Sequence, residues 1–343
     1  MEITPEILKN VIYDTRSRSF YCSEKPRSPL HSLDRRYEFS SDQPDIFDAY
    51  EVNRPTYITN YLHSCIGHAY IDTTIPLLSI LYEYSPEILS KRGYQLFVLS
   101  DTFKEYTTDS RLIEHLDRWE QNTVDYSGYY MGPYRHFHTC FSDVPILFEK
   151  SFSAHRYIRF STIIYGGNLE CQRTIHNCAE KYPGRRNIPV ATDQQIEKWN
   201  SIGRAAFAKY IGLSIGERSR VLFIARRGAR EFTRSSLCKI RSILECDPIY
   251  LEDYSFEEQI QMFAEATLVV SPHGSGLYHL IWCSPGTRVI EIFATNDSRK
   301  IIFESLSKFS GLNYSHIECS EKEIISDEPI DIPDRCIRQL SST

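Results

Sequence analysis

The stretch Val269-Val270-Ser271-Pro272-His273-Gly274-Ser275-Gly276-Leu277 runs an apolar strand into a glycine-bearing turn and then directly into a helix. Glycines let backbone come close to a ligand, and the unpaired N–H groups of a first helical turn favour an anion. A phosphate or diphosphate is the natural guest. The same turn also occurs where glycines serve geometry alone, and the strand–turn–helix context tips the reading toward phosphate. One strand later, Glu291 lies near the carboxyl end of Arg288-Val289-Ile290-Glu291-Ile292-Phe293. An acid there can accept hydrogen bonds from both ribose hydroxyls. Arg226 and Arg227, followed by Gly228, end the apolar run Val221-Leu222-Phe223-Ile224-Ala225. Cations at the carboxyl end of a strand sit where open α/β sheets bind ligands, and an arginine can fork a diphosphate. As a run of charge, the same arginines could also be a solvated loop.

In the N-terminal half, His68 and Asp72 are spaced i,i+4, so a helix would put both on one face, where either could act as a general base. The plain alternative is a helix-start pair with no catalytic use. His136, His138 and Cys140 alternate as metal ligands on a strand would, but no second cluster completes a set. No Asp-x-Asp triplet occurs, nor any Walker, Gly-x-Ser-x-Gly or His-Glu-x-x-His motif. No metal is expected.

These residues need a scaffold. From Arg220 the pattern alternates strand and helix: strands at 220–225, 248–251, 267–271, 287–293 and 313–318, helices at 235–244, 255–265, 275–283 and 299–309. That alternation means βα units on a parallel sheet. The N-terminal half shows it less clearly, with strands expected at 56–61, 94–99 and 156–165 and helices at 67–84, 102–124 and 192–211. Residues 1 to about 50 read as an irregular arm, and Lys181–Pro189 as a linker. The expectation is an α/β protein of two Rossmann-like domains facing across a cleft, residues 1–190 and 191–343.

The chain has 343 residues, 41% hydrophobic and 24% charged, an ordinary globular balance. Its net charge of −6 argues against a general nucleic-acid partner. No apolar run reaches the roughly 18 residues of a membrane span. The start Met1-Glu2-Ile3-Thr4-Pro5-Glu6 lacks the features of a secretory signal, and the ten cysteines show no regular spacing. The expectation is a cytoplasmic protein with mostly reduced thiols, lumenal only if the chain is a piece of a longer one.

Three motifs in order, Leu222–Gly228, Pro272-His273-Gly274-Ser275-Gly276-Leu277 and Pro285–Ile292, resemble glycosyltransferase family 61. The family commonly has Ala where this chain has Ser275. Gly67-His68 through Asp72 and Pro76-Leu77-Leu78 is similar, more loosely, to the family's N-terminal segment. The resemblance implies a GT-B fold, with residues 1–190 on the acceptor side and 191–343 binding the nucleotide sugar, and an inverting, metal-independent transfer without a cofactor. The donor would be a UDP-sugar carrying GlcNAc or a pentose such as xylose, and the acceptor a hydroxyl of a glycan or glycoprotein. Arg226, Arg227, Gly228, His273, Gly274, Ser275, Gly276, Leu277 and Glu291 would then hold the donor, and Asp72 or His68 would be the base. Two other functions fit the same residues: a catalytically inactive glycan-binding or scaffold module, and an NAD(P)-dependent oxidoreductase. Against the oxidoreductase, His279 stands where the dinucleotide fingerprint has its third glycine, and the turn follows the third strand of its domain.

Overall fold

The computed structural model describes residues 6–24, 30–31, 36–59, 77, 93–99, 144–152, 154–165, 193–210, 212–213, 217–228, 231–293, 301–319 and 329–341. The chain forms two compact units, Met1–Tyr210 and Ile211–Thr343.

The first unit carries a nine-stranded mixed sheet. Its parallel part is β9 (Tyr157–Tyr165), β6 (Thr56–Thr59), β7 (Gln95–Val98) and β8 (Ile146–Phe148), side by side in that order. Gln95, Leu96, Phe97 and Val98 are all buried, as expected of a strand covered on both faces. The rest of the sheet corrects the expected irregular arm. β1 (Glu6–Asp14) pairs antiparallel with β9 over its whole length, and β2 (Ser19–Tyr21), β3 (Leu30–His31) and β4 (Arg36–Ser40) extend the sheet beyond it. β5 (Tyr50–Val52) also pairs with β9. Asn10 takes a left-handed φ of 52° in the middle of β1. The buried residues therefore fall at Leu8 and then at Val11 through Asp14, out of step with the two-residue period by which a strand is recognised. Asp14 earns its buried place: its carboxylate accepts from the Arg16 N–H at 2.9 Å and pairs with Arg156 at 3.3 Å. α1 (Asp193–Tyr210) closes this unit.

The second unit holds a separate, wholly parallel sheet of five strands in the order β11-β10-β12-β13-β14. These are β10 (Arg220–Ala225), β11 (Pro248–Tyr250), β12 (Ala266–Pro272), β13 (Arg288–Phe293) and β14 (Asn313–Glu318). Counted within the unit, the order is 2-1-3-4-5, that of a doubly wound sheet whose winding reverses between the first and third strands. α2 (Arg234–Leu244), α3 (Phe256–Ala264), α4 (Ile301–Phe309) and α5 (Asp334–Ser341) connect or flank the strands. Thr233 caps α2 by accepting from the Ser236 N–H. Ser255 and Glu258 form a reciprocal capping box on α3, as the pattern Ser-Phe-Glu-Glu allows. The helix expected at 275–283 is instead a 3-10 helix, Ser275–Trp282, so its hydrogen bonds span three residues rather than four. Phe223, Val270, Ile290 and Ile292 lie at the centre of the unit's core.

Candidate functional site

In a doubly wound sheet the ligand crevice opens outside the carboxyl ends of the strands, where the winding reverses. Here that point lies between β10 and β12. Arg226 follows β10 and Gly274 follows β12. The two are in close contact: a Cβ built on Gly274 would overlap Nη1 of Arg226. This explains the glycine sterically. Its backbone is extended, with φ 169°, and any residue could adopt that conformation. Gly276 is a second close approach, since a Cβ there would come 2.7 Å from Cδ1 of Leu251. The first bond of the 3-10 helix runs from the Leu277 N–H to the Gly274 carbonyl at 3.0 Å. The amides of Gly274, Ser275 and Gly276 precede it and have no acceptor within the helix.

The sequence treats Arg226 and Arg227 alike, and the structure separates them. Arg227 donates to both carboxylate oxygens of Asp253 at 2.7 Å and to Glu252 at 3.3 Å, and it lies over the Tyr250 ring at 4.1 Å. The hydrogen bond that Arg227 donates to Asp253 raises the guanidinium still further above its ordinary range and holds the Asp253 carboxyl below its own. Among the described residues Arg226 forms no ion pair. Gly228 takes φ +75° in the turn that follows, a conformation for which glycine is suited.

Glu291 is fully buried, and both of its oxygens are engaged within the protein. Oε1 accepts from Nδ1 of His273 at 2.5 Å, and Oε2 from the Tyr314 hydroxyl at 2.7 Å. Burial, and then the nearby carboxylate, push the Tyr314 phenol far above its usual range. The His273 ring stacks on Phe293 and leans on Phe303 of α4. Leu277 packs in the core with no exposed surface.

Several participants were not singled out from sequence. Tyr250 ends β11, Leu251, Glu252 and Asp253 form the 3-10 turn that follows it, and Gln259 staples that segment by donating to the carbonyls of Leu251 at 2.8 Å and Tyr254 at 3.0 Å. The available signal was positional: an acidic pair at the end of the strand beside β10. Tyr314 had none, because its role depends on strand order. His68, Asp72, His136, His138 and Cys140 lie outside the described residues. Among the described residues no three His, Cys, Asp or Glu side chains gather as metal ligands would. No helix among them is long and apolar enough to cross a membrane.

The described part of the chain is thus an α/β protein whose second unit offers a cation and backbone amides at the reversal point of a parallel sheet. The defining pattern of the family Glycosyltransferase 61 matches residues 66–290, well over half of the chain, and the protein belongs to that family. The match takes in Arg226, the His273–Leu277 turn and the approach to Glu291. A beta-1,2-xylosyltransferase of Arabidopsis thaliana is 31% identical over 64 residues, which cover 19% of this chain and 12% of that protein.

Proposed function

We propose that this protein is an inverting glycosyltransferase that moves a sugar from a UDP-sugar to a hydroxyl of a glycan or glycoprotein without a divalent metal. The proposed architecture is GT-B, with the second unit taking the donor and the first the acceptor. The observation that carries the reading is the Arg226 guanidinium over Gly274 at the reversal point, beside the amides that open the 3-10 helix. As the bond between anomeric carbon and diphosphate breaks, its electron pair passes to the diphosphate oxygen. Fixed donors aimed at that growing charge lower the barrier. Arg226 and the amides of Gly274, Ser275 and Gly276 supply them, and Leu277 anchors the turn from the core. Arg227 braces the loop after β10 against Asp253, and Gly228 turns that loop. Glu291 serves His273 rather than a ribose. On the opposite face of the sugar, the acceptor oxygen bonds to the anomeric carbon and gives its proton to Asp72 or His68. The name of the plant relative favours a pentose such as xylose over GlcNAc as the transferred sugar.

Titration calorimetry with UDP tests the donor site. Arg226→Ala is expected to weaken UDP by about 10-fold or more, the worth of a hydrogen bond to a charged group. Arg227→Ala is expected to stay within a few-fold of wild type. Transfer should persist in EDTA; loss on chelation, restored by Mn²⁺, would contradict the metal-free reading. Asp72→Asn should lower turnover by about 10²–10⁴ with UDP affinity unchanged if Asp72 is the base. Normal turnover would pass the role to His68.

A further inference from the structure

α5 and the residues just before it fold back onto the second unit. Ile330 bridges Phe232, and its carbonyl accepts from the Thr233 N–H at 2.9 Å. Asp331 accepts from the hydroxyls of Thr233 at 2.9 Å and Ser236 at 3.1 Å, and the Ile332 N–H donates to the Ser236 hydroxyl at 2.8 Å. So anchored, the segment lays Cys336, Ile337 and Leu340 into the core cluster that also holds Ile317 and Cys319. Cys319 directly follows β14, the last strand in the sheet order, and its N–H donates to the Phe293 carbonyl at 2.9 Å. Cys336 lies in the first turn of α5. Its thiol donates to the Glu318 carbonyl at 3.4 Å, on the peptide bond that joins Glu318 to Cys319, and the two thiols are themselves in hydrogen-bonding contact. Both cysteines are buried. A single buried thiol serves as a small apolar side chain. Two in contact, one at the end of a strand and one on a helix packed against it, have a second chemistry open to them. Side-chain rotation can bring contacting sulfurs to the roughly 2 Å of an S–S bond.

We propose that Cys319 and Cys336 form a disulfide site, at which oxidation by a small-molecule disulfide locks α5 to the last strand of the second unit's sheet. The proposal is independent of the donor-site reading. One cysteine gives its proton to solvent, and its sulfur attacks the small disulfide, whose S–S bond breaks and releases one small thiol. The second cysteine, deprotonated likewise, attacks the sulfur of the first and displaces the other small thiol. The Cys319–Cys336 bond is formed, and the two electrons and two protons that the protein loses end on the two small thiols. Burial, and then the neighbouring Cys336, push the Cys319 thiol up to about 12. The thiolate is the attacking species, so exchange is slow while the segment is docked and faster before it docks or when α5 lifts away. The link therefore records the surroundings in which the chain folded: a compartment that holds disulfides leaves it made, and one that keeps thiols reduced leaves it open.

The test holds the full chain in sub-denaturing urea with oxidised glutathione, or with dithiothreitol, and then blocks free thiols with iodoacetamide in full denaturant. Tryptic cleavage after Lys308, Lys322, Arg335 and Arg338 puts Cys319 in the peptide 309–322 and Cys336 in the peptide 336–338. Mass spectrometry should find these two peptides joined to each other after oxidation, and both blocked after dithiothreitol. With the urea removed, the linked chain should melt roughly 5–10 °C above the reduced one, the gain expected from closing a loop of this length. Cys336→Ala should abolish that difference, and dithiothreitol in urea should reverse it in wild type. Recovery of both cysteines blocked after oxidation overturns the proposal. So does a Cys319 or Cys336 joined to glutathione, to another cysteine or to a second chain instead. A link that forms but leaves the melting midpoint unchanged overturns the lock. If Cys336→Ala does not fold, the wild-type peptide map and the reversal by dithiothreitol decide on their own.

Discussion

The carboxyl ends of β10 and β11 and those of β12, β13 and β14 lie along the same edge of one sheet, and they handle charge in opposite ways. On the first side Arg227, Glu252 and Asp253 pair in the open, each about half exposed. On the second, Glu291 is sealed in and answered by two donors from neighbouring strands. Water already solvates the exposed ions, so their pairing adds little and salt screens it. The buried carboxylate has no such alternative, and removing it strands its partners. The open cluster can therefore reorganise around a ligand at small cost, whereas the closed one sets where His273 stands.

The largest expected effect tests the closed side. Glu291→Ala leaves the His273 N–H and the Tyr314 hydroxyl without their acceptor, at a cost of about 3–5 kcal/mol by urea unfolding. A loss under about 1 kcal/mol would erase the distinction drawn between the two ends.

Next comes acid. His279 is fully buried between Phe256 and Phe263, neither ring nitrogen has a hydrogen-bond partner among the described residues, and burial lowers its pKa from 6.5 to about 3. The unfolded chain takes up this proton below pH 6.5 and the folded one only near pH 3. Stability from this site is therefore full above pH 6.5 and falls by up to about 1.4 kcal/mol per pH unit down toward pH 3. Urea melts between pH 7.5 and 5 should show this slope in wild type and a flatter one in His279→Leu. Equal slopes would mean that the ring is already charged or hydrated in the fold.

Smaller still is Gly274→Ala. The added methyl must displace the Arg226 guanidinium. The backbone is extended and the guanidinium can move, so unfolding should change little while UDP affinity falls about 10-fold. A loss of stability with affinity intact would make the contact a packing feature. The smallest effect belongs to the open cluster: Arg227→Ala and Asp253→Asn should leave the thermal midpoint unchanged in 0.5 M salt. A drop comparable to that of Glu291→Ala would collapse the comparison.

Much of the second unit is legible along the chain because β10, β12 and β13 are short apolar runs bounded by a turn or cap. Ser255 and Glu258 announce α3, and the apolar run from Val269 announces the core of β12. β1 was not legible, since the left-handed Asn10 shifts its buried residues off the strand period. The 3-10 form of Ser275–Trp282 was missed for a different reason: its run of apolar residues suits either helix. The motif residues of the proposed donor site could be named from the sequence, but Arg226 and Arg227 could not be told apart. Their difference depends on Asp253, 26 residues beyond Arg227 in a neighbouring strand's loop.

What the sequence determined by itself is therefore local: residue types, their periods, and a turn chemistry that suits an anion. The partners of those residues were decided by the order and register of the strands. Glu291 looks like a ligand acid when only its place near a strand's end is known. It becomes the support of His273 because β13 lies between β12 and β14, and because parallel register brings Nδ1 on one side and the Tyr314 hydroxyl on the other within hydrogen-bonding reach. Side-chain periodicity records which face of a strand is buried but holds no information about which strand lies next to it, and the chemistry of a buried charge depends on that neighbour.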